Sequence, residues 1–356
     1  MTAFTLKKVN SLVFASTLGM VATLATGMRS QALTVAGDPA DYIVSPGTGF
    51  DGVVEIQLNR IDTSVNCTGS LLPTGLHILT AAHCLTGNNG TFNTKSGLAF
   101  FNLPTERIGI PVAEFFIHPL WNGNFVNAND VAVLQLASNA PAEAERYDLY
   151  RQTDELNQLS VLVGYGQSGN GNEGAVFPNG RKRSGLNIYD APGEIFAPIF
   201  EDAFGATGTP GTLLVYDFDN GLPANDAFGV LFNISNLGLG LDEVSAASGD
   251  SGGPTFINGL IAGISSFGFG FPGFGDIDEQ FTNESFGEFD FDIRISTYAS
   301  WVDSAVAGNE PSASVPEPST VLGSLFAFGA FAAGSQLKRK QKQKARPSAR
   351  AETSSE

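Results

Sequence analysis

Short apolar runs, separated by turns rich in glycine and proline, recur along this chain and constrain its fold more than any other feature. The 42 glycines and 18 prolines among 356 residues supply frequent turn signals and leave little room for long helices. The runs between the turns are rich in Val, Ile, Leu and Phe, which is typical of short strands. With 42% hydrophobic residues the chain can bury a sizeable core, so the sequence predicts an all-β fold.

Two series of these runs predict two antiparallel β-barrels, at about residues 43–155 and 156–306. The predicted strands are 53–58, 70–72, 77–80, 98–101, 113–117 and 131–136, then 160–164, 213–216, 229–234, 254–257, 260–265 and 291–295. Residues 297–306 predict a short closing helix. The stretches 168–183 and 268–290, both rich in Gly, are expected to be surface loops.

Acidic side chains dominate the body of the chain. Between residues 33 and 317 there are 34 acidic and 9 basic residues, a balance that phosphate backbones would repel. We therefore expect no nucleic acid partner. The histidines are His77, His83 and His118 and the cysteines are Cys67 and Cys84, so neither a zinc site nor any other cofactor is expected.

One acidic stretch is a candidate metal site. Asp217, Asp219 and Asp226 carry oxygen ligands of the kind that calcium prefers. Their spacing departs from that of an EF-hand loop, so a solvated surface loop is the favoured interpretation.

The first 32 residues have the three parts of a secretory signal peptide. Lys7 and Lys8 precede an apolar stretch from residue 12 to about 26, and small residues follow up to Ala32. We expect export and cleavage after Ala32; a membrane anchor is the alternative, although polar residues interrupt the apolar stretch. Residues 33–42 are then a candidate propeptide. In an oxidising compartment the two cysteines can pair.

Three short motifs carry the residue types that amide hydrolysis needs. His83 lies in TAAHC, Asp130 opens the apolar run DVAVL, and Ser251 lies in GDSGGP. A serine nucleophile requires a base to take its proton, a carboxylate to orient that base, and N–H donors for the developing oxyanion. The motifs therefore predict a hydrolase with a His, Asp and Ser triad.

These motifs resemble the trypsin and chymotrypsin family of serine proteases, over most of residues 43–306. The segment 114–136, the GYG at 164–166 and the ending RISTYASWV are also similar to that family. The resemblance implies a serine endopeptidase with its active site between two barrels. By this resemblance, His83 is the general base, Asp130 orients His83, and Ser251 is the nucleophile. The N–H groups of Gly249 and Ser251 would form the oxyanion hole. An inactive protease-like scaffold that serves as a surface binding or matrix protein is the alternative.

The family resemblance implies two further pairings around the triad. One is a disulfide between Cys67 and Cys84. The other follows from a zymogen cut after Tyr42, which would free an ammonium group on Ile43 to pair with Asp250. Tyr42 is not the basic residue usual before such a cut, so the activating enzyme is expected not to be trypsin-like.

The substrate pocket departs from the family pattern. Ser266, Phe267 and Gly268 are expected to pair with substrate backbone, while Ser245 stands where the family places the base of the specificity pocket. A neutral base favours apolar or small substrate side chains over Lys or Arg. An acid nearby would restore a basic preference; the candidates are Asp242, Glu243, Asp276 and Asp290.

A second signal lies near the C-terminus. Residues 307–319 form a linker that ends with VPEP at 315–318. Together with an apolar run at 321–337 and a basic cluster at 338–346, this VPEP resembles the PEP-CTERM sorting signal. The resemblance implies that segment 320–346 directs the protein to the membrane, where an exosortase processes it. The expected location is the periplasm, the cell surface or the extracellular matrix. A plain transmembrane anchor is the alternative.

Overall fold

A computed structural model describes residues 33–278, 280 and 282–314, and short strands dominate it. In chain order the strands are β1 (Thr34–Val35), β2 (Val53–Arg60), β3 (Ser64–Leu71), β4 (His77–Thr80), β5 (Thr94–Asn102), β6 (Arg107–Ile117), β7 (Ala132–Leu136), β8 (Leu159–Gly164), β9 (Ser168–Asn170), β10 (Gly174–Phe177), β11 (Arg183–Ile188), β12 (Ala191–Pro192), β13 (Leu213–Phe218), β14 (Val244–Ser245), β15 (Pro254–Ile257), β16 (Leu260–Phe269) and β17 (Glu288–Arg294). The α-helices of the described residues are α1 (Ala197–Phe204), α2 (Ala227–Phe232) and α3 (Ile295–Val306). The predicted β class is confirmed, and α3 is the expected closing helix.

The first barrel closes on itself in the strand order β2-β3-β4-β7-β6-β5. β2 pairs with both β3 and β5, which completes the ring. The barrel interior is filled by aliphatic and aromatic side chains, among them Ile56, Phe101 and Leu134. Because a closed barrel has no free edge, its rim is a rigid support for the residues that follow its strands.

The second half is a curled seven-stranded sheet that does not close, in the order β11-β8-β15-β16-β17-β13-β12. Its edge strand β12 contains Pro192, which has no N–H group to continue the ladder. Phenylalanine rings fill much of the core on one face, and Phe196 contacts both Phe289 and Phe291. The prediction of a second barrel thus holds for the curvature of this sheet but not for its closure.

A four-stranded sheet in the order β10-β9-β1-β14 adds an element that the sequence analysis did not predict. β1 lies between β9, to which it is parallel, and β14, to which it is antiparallel. Leu33, Thr34 and Val35 are all buried. The start of the candidate propeptide 33–42 is therefore built into the folded body, because β1 supplies hydrogen bonds and apolar contacts to two neighbouring strands.

One predicted strand, at 229–234, is wrong because residues 229–232 belong to helix α2. The side chain of Asp226 accepts a hydrogen bond from the Gly229 N–H at 2.6 Å and caps the helix. Asn233 ends the helix in the left-handed conformation, with φ of 57°. A short apolar run does not distinguish strand from helix, and here the capping residue decides.

The described part of the chain contains no helix that is both long and apolar enough to span a bilayer. The predicted signal peptide at 1–32 and sorting segment at 320–346 lie outside the described residues, as do residues 315–319 of the linker.

Candidate active site

His83 lies on a short helical turn that follows strand β4. β4 ends at Thr80, and Ala82–Cys84 form a single 3₁₀ turn. Cys84 forms a disulfide with Cys67 on β3, as the family resemblance implies. This bond ties the backbone beside His83 to the rigid rim of the first barrel.

Asp130 is fully buried and accepts three hydrogen bonds. Its Oδ2 accepts from His83 Nδ1 at 2.6 Å and from the Ser266 hydroxyl at 2.7 Å, and its Oδ1 accepts from the His83 backbone N–H at 2.7 Å. Three donors compensate for the removal of this carboxylate from water. With Nδ1 donating to Asp130, His83 Nε2 carries the lone pair that can accept a proton.

A strained turn positions Asp130. The two residues before it, Ala128 and Asn129, have φ of 54° and 62°. Such values are unfavourable for residues with a side chain and persist where surrounding contacts fix them. Tyr298 on α3 provides one of these contacts, since its hydroxyl accepts the Asn129 N–H at 3.0 Å. The closing helix thereby supports the triad carboxylate.

Ser251 lies on a tight turn that only glycine allows. Gly249 has φ of 102°, and a Cβ there would lie 2.7 Å from Gly166 Cα. Thr68 on β3 donates its N–H to the Ser251 carbonyl at 3.0 Å and its hydroxyl to the Gly249 carbonyl at 2.7 Å. Among residues 33–278, 280 and 282–314, the N–H groups of Gly249 and Ser251 donate no hydrogen bond. Both are therefore available to a substrate oxygen.

Ser251 and His83, the candidate nucleophile and base, come from opposite halves of the protein and meet at their junction. Cys84 Sγ, next to His83, lies 3.7 Å from the Ser251 carbonyl oxygen. The described residues contain no hydrogen bond between the Ser251 hydroxyl and His83; catalytic hydrogen bonds of this kind commonly tighten only when substrate is bound. The arrangement supplies a nucleophile, an oriented base and two oxyanion donors, which is the chemistry of acyl transfer.

Comparisons with known proteins agree with this geometry. The family model described as Trypsin matches residues 46–190. Trypsin Blo t 3 of Blomia tropicalis is 29% identical over 262 residues, which cover 70% of this chain and 87% of that protein. The chain is therefore similar to trypsin-like serine proteases. Chymotrypsin-C of Bos taurus is 24% identical over 269 residues, 70% of this chain and 82% of that protein.

A solved serine protease structure has a similar fold. Neuropsin, a serine protease expressed in the limbic system of mouse brain, superimposes with a TM-score of 0.50 at 17% identity. The match covers 74% of this chain and 98% of neuropsin. At this identity the likeness supports the trypsin fold and nothing finer.

The residue that contacts Asp250 in this protease homologue is Leu33 and not Ile43. The Leu33 backbone N–H donates to the Asp250 carboxylate, and its carbonyl accepts from the Ser168 hydroxyl at 2.8 Å. Ile43 instead forms an isolated bridge with Arg183. Before any cut after Tyr42, Ile43 has no ammonium group to pair with Asp250, and β1, which lies beside β14, brings Leu33 to that position.

Burial raises the pKa of Asp250 to about 6. Hydrogen bonds from the N–H groups of Gly166, Ala247 and Leu33 and the positive charge of Arg183 oppose this rise. Arg183 makes no ion pair with Asp250 within 4 Å; its side chain donates to the carbonyls of Pro39 and Arg181 instead. The ionised carboxylate beside the nucleophile thus lacks a close cationic partner among the described side chains.

The expected substrate strand is part of β16. A bulge between Ser265 and Phe267 shifts its pairing with β17, and the Ser266 hydroxyl reaches Asp130. Phe267 stacks on Phe291 with ring centroids 4.4 Å apart. Ser245, expected at the base of the pocket, is buried and donates its hydroxyl to Asp290. One of the acids considered from sequence therefore contacts this base.

The acidic stretch proposed as a solvated loop is buried instead. Asp217 and Asp219 are 2% and 0% exposed, and with Asp190 and Glu243 they form a cluster of carboxyl groups, which we call the acidic cluster. Burial raises the pKa of Asp190 to about 7 and of Glu243 to about 8. Asp226 instead caps helix α2.

The acidic cluster does not converge on a shared ion. In the described part of the chain, Cys67, His83 and Cys84 form the one group of three potential ligands whose atoms lie within 4.8 Å of one another. The disulfide consumes both sulfur atoms of that group, so it is not a metal site.

Sequence reasoning missed roles that three residues have in shaping the site. Thr68 follows Cys67 on β3 but reaches the turn of Ser251 from the other half. Ser266 was expected to contact substrate and also holds Asp130. Leu33 was assigned to a removed segment. The sequence did contain an indication of the role of Leu33, because the predicted cleavage after Ala32 makes Leu33 the N-terminal residue.

Proposed function

We propose that this chain is an exported serine endopeptidase that hydrolyses protein or peptide substrates through a Ser251 acyl-enzyme. His83 takes the proton of the Ser251 hydroxyl as its oxygen attacks the carbonyl carbon, then gives that proton to the departing amine. The N–H groups of Gly249 and Ser251 stabilise the oxyanion. Water, activated by His83, then attacks the acyl-enzyme, releases the carboxylic acid and restores Ser251.

One observation carries this proposal above all. Buried Asp130 accepts from both the backbone N–H and Nδ1 of His83, at 2.7 and 2.6 Å. These two bonds orient the imidazole and select the tautomer that a general base needs. A histidine without these two hydrogen bonds would not be held in the orientation that a general base for Ser251 needs.

The test is covalent labelling of purified protein with a small fluorophosphonate. Wild type should be labelled on Ser251, and both Ser251→Ala and His83→Ala should lose labelling. Ser248→Ala is the matched control, since Ser248 belongs to the same turn and its side chain makes no hydrogen bond among the described residues. A folded, processed wild type that resists labelling would instead support the inactive scaffold acting as a surface binding or matrix protein.

We also propose that export and activation are one event. Cleavage after Ala32 gives Leu33 an ammonium group at the position where its N–H already contacts Asp250. Residues 33–42 are then retained, and no later zymogen cut at Ile43 is needed. N-terminal sequencing of active protein should begin at Leu33; a sequence that begins at Ile43 would contradict this.

The proposed location is the periplasm, the cell surface or the extracellular matrix. The secretory features of residues 1–32 support it, and so does a disulfide, which persists in oxidising compartments. The sorting segment at 320–346 would hold the precursor at the membrane until an exosortase-type enzyme processes it. Deletion after Pro311 should release a soluble, labelled protein, and intact mass should find residues 338–356 absent from the processed wild type.

A further inference from the structure

Asp290 lies directly beside the segment expected to bind substrate. It is on β17, where it pairs with Gly268 on β16, the last residue of that segment. A Cβ at Gly268 would lie 3.2 Å from Asp290 Oδ1 and 3.3 Å from Thr282 Cγ2. Glycine at position 268 therefore leaves open the space that leads to this carboxyl oxygen.

The other oxygen of Asp290 is fixed by the opposite wall of the pocket. Its Oδ2 accepts hydrogen bonds from the Ser245 hydroxyl and, at 3.2 Å, from the Ala246 N–H. These residues lead along the chain to the turn of Ser251. Asp290 thus joins the expected base of the pocket to the substrate strand, with Oδ2 anchored and Oδ1 under Gly268.

A second buried acid, Glu284, lies in the same region. It is 6% exposed, and its Oε2 has no hydrogen-bond partner. Burial raises its pKa well above the usual value, and the charges of Glu288, Asp290 and Asp250 raise it further. Its backbone has φ of 61°, which is unusual for glutamate. An unpaired buried carboxyl oxygen among acidic neighbours favours a cation that arrives from outside.

The described residues offer no cation of their own to these acids. Five ion pairs occur among them, and none includes Asp290, Glu284 or Glu288. Glu288 accepts hydrogen bonds from the backbone N–H groups of Asn283 and Glu284. Its carboxylate therefore fixes the loop that contains these two residues and is not available to bind a basic side chain. The carboxyl groups of Asp290 and Glu284 beside Gly268 therefore have no cationic side chain paired with them among the described residues.

We propose that Asp290 determines the cleavage preference by pairing, through Oδ1, with the guanidinium or ammonium of an Arg or Lys that precedes the cleaved bond. Glu284 is the second acid near this site, where a bound cation would favour its ionised form, and Ser245 positions Asp290 instead of defining a neutral base. The inference rests on the proposed endopeptidase function. It replaces the apolar or small preference expected from Ser245, because a cation desolvated in this pocket meets a buried carboxylate.

The test measures kcat/KM on peptide anilides that end in Arg, Lys, Phe or Ala. Wild type should prefer Arg and Lys, and Asp290→Asn should lose about 100-fold or more on them, as expected when one partner of a buried ion pair is removed. Glu284→Gln should lose less. The double variant Asp290→Asn with Ser245→Asp should recover much of the basic preference, because it moves the acid to the contacting residue.

Asp292→Asn is the matched control. It replaces another buried acid of β17 whose Oδ2 accepts from Thr255 and Tyr189, both at 2.5 Å. It should keep the preference for Arg and Lys. An equal loss in this control would overturn the inference, since the effect would then be structural damage to the strand.

Labelling and ligand binding separate this inference from the proposed function. Fluorophosphonate labelling of Ser251 in wild type and Asp290→Asn reports catalytic competence without a basic side chain. A labelled wild type that prefers Phe or Ala, unaffected by Asp290→Asn, overturns the inference alone. Benzamidine, a small amidinium, should bind Ser251→Ala in calorimetry and lose that binding when Asp290→Asn is added. This result supports the acidic pocket even in a protein that is never labelled.

Discussion

Retaining a single residue before Leu33 should destabilise this protein. In a chain that begins at Leu33, the N–H that contacts Asp250 becomes part of an ammonium group, and a hydrogen bond becomes a buried ion pair. In a chain that keeps Ala32, the same atom stays in a neutral peptide bond. The two forms differ by one residue and by the charge placed against Asp250.

The magnitude follows from the pKa of Asp250, which burial raises from 3.8 to about 6. At neutral pH this rise corresponds to a penalty of about 3 kcal/mol on the ionised carboxylate. A carboxyl group whose pKa is raised on folding destabilises the protein above that pKa, and the penalty fades as the pH falls from about 6 to about 3.8. An ammonium partner removes much of it, so we expect the Leu33 form to be more stable by about 2 to 3 kcal/mol at pH 7.

The assay is urea unfolding of both forms at pH 7 and pH 4, each with Ser251→Ala to prevent self-cleavage. The difference should shrink at pH 4 and should vanish when both forms carry Asp250→Asn. Equal stability at pH 7 would refute the reasoning. So would a chain beginning at Ile43 that is as stable and as readily labelled on Ser251 as the Leu33 form.

Three further changes have expected outcomes of different kinds. Asp130→Asn should lower kcat by about 10⁴-fold with little change in KM, measured by steady-state kinetics, because the wrong His83 tautomer is favoured. Replacing Cys67 and Cys84 by Ser should lower the free energy of unfolding by about 3 kcal/mol, measured in urea, since the disulfide closes a loop with a separation of 17 residues. The free energy of unfolding of the wild type should decrease as the pH rises from about 4.5 to about 8, because burial raises the pKa of Glu243 from 4.5 to about 8 and of Asp190 to about 7. Asp217→Asn, which removes one repelling carboxylate, should flatten that fall in a thermal melt series.

The segments that carry the proposed triad could be recognised from sequence because each one is local in the chain. TAAHC and GDSGGP each carry a functional side chain together with the small or glycine residues that its turn requires, as Gly249 shows by its φ of 102°. The strand pattern likewise identified β4 and β15 at their observed bounds.

The missed features depend on pairing between distant segments. Asp290 faces Gly268 only because β17 lies beside β16, and Ser245 reaches it across 45 positions. Leu33 reaches Asp250 only because β1 inserts between β9 and β14. No periodicity near these residues encodes the partner, so sequence alone left the base of the pocket open and did not identify the contact between Leu33 and Asp250.

The hydrogen bonds that cross the junction limit how this protein can be recombined. Thr68 of the first barrel holds the turn of Ser251, and Ser266 of the second sheet holds Asp130. A chimera that takes each half from a different relative would keep both hydrophobic cores intact. Its proposed catalytic residues, however, would lie at an interface between two halves whose side chains do not match. Such a hybrid should fold and still turn over slowly, unless these two hydroxyl side chains and their acceptors are transferred together.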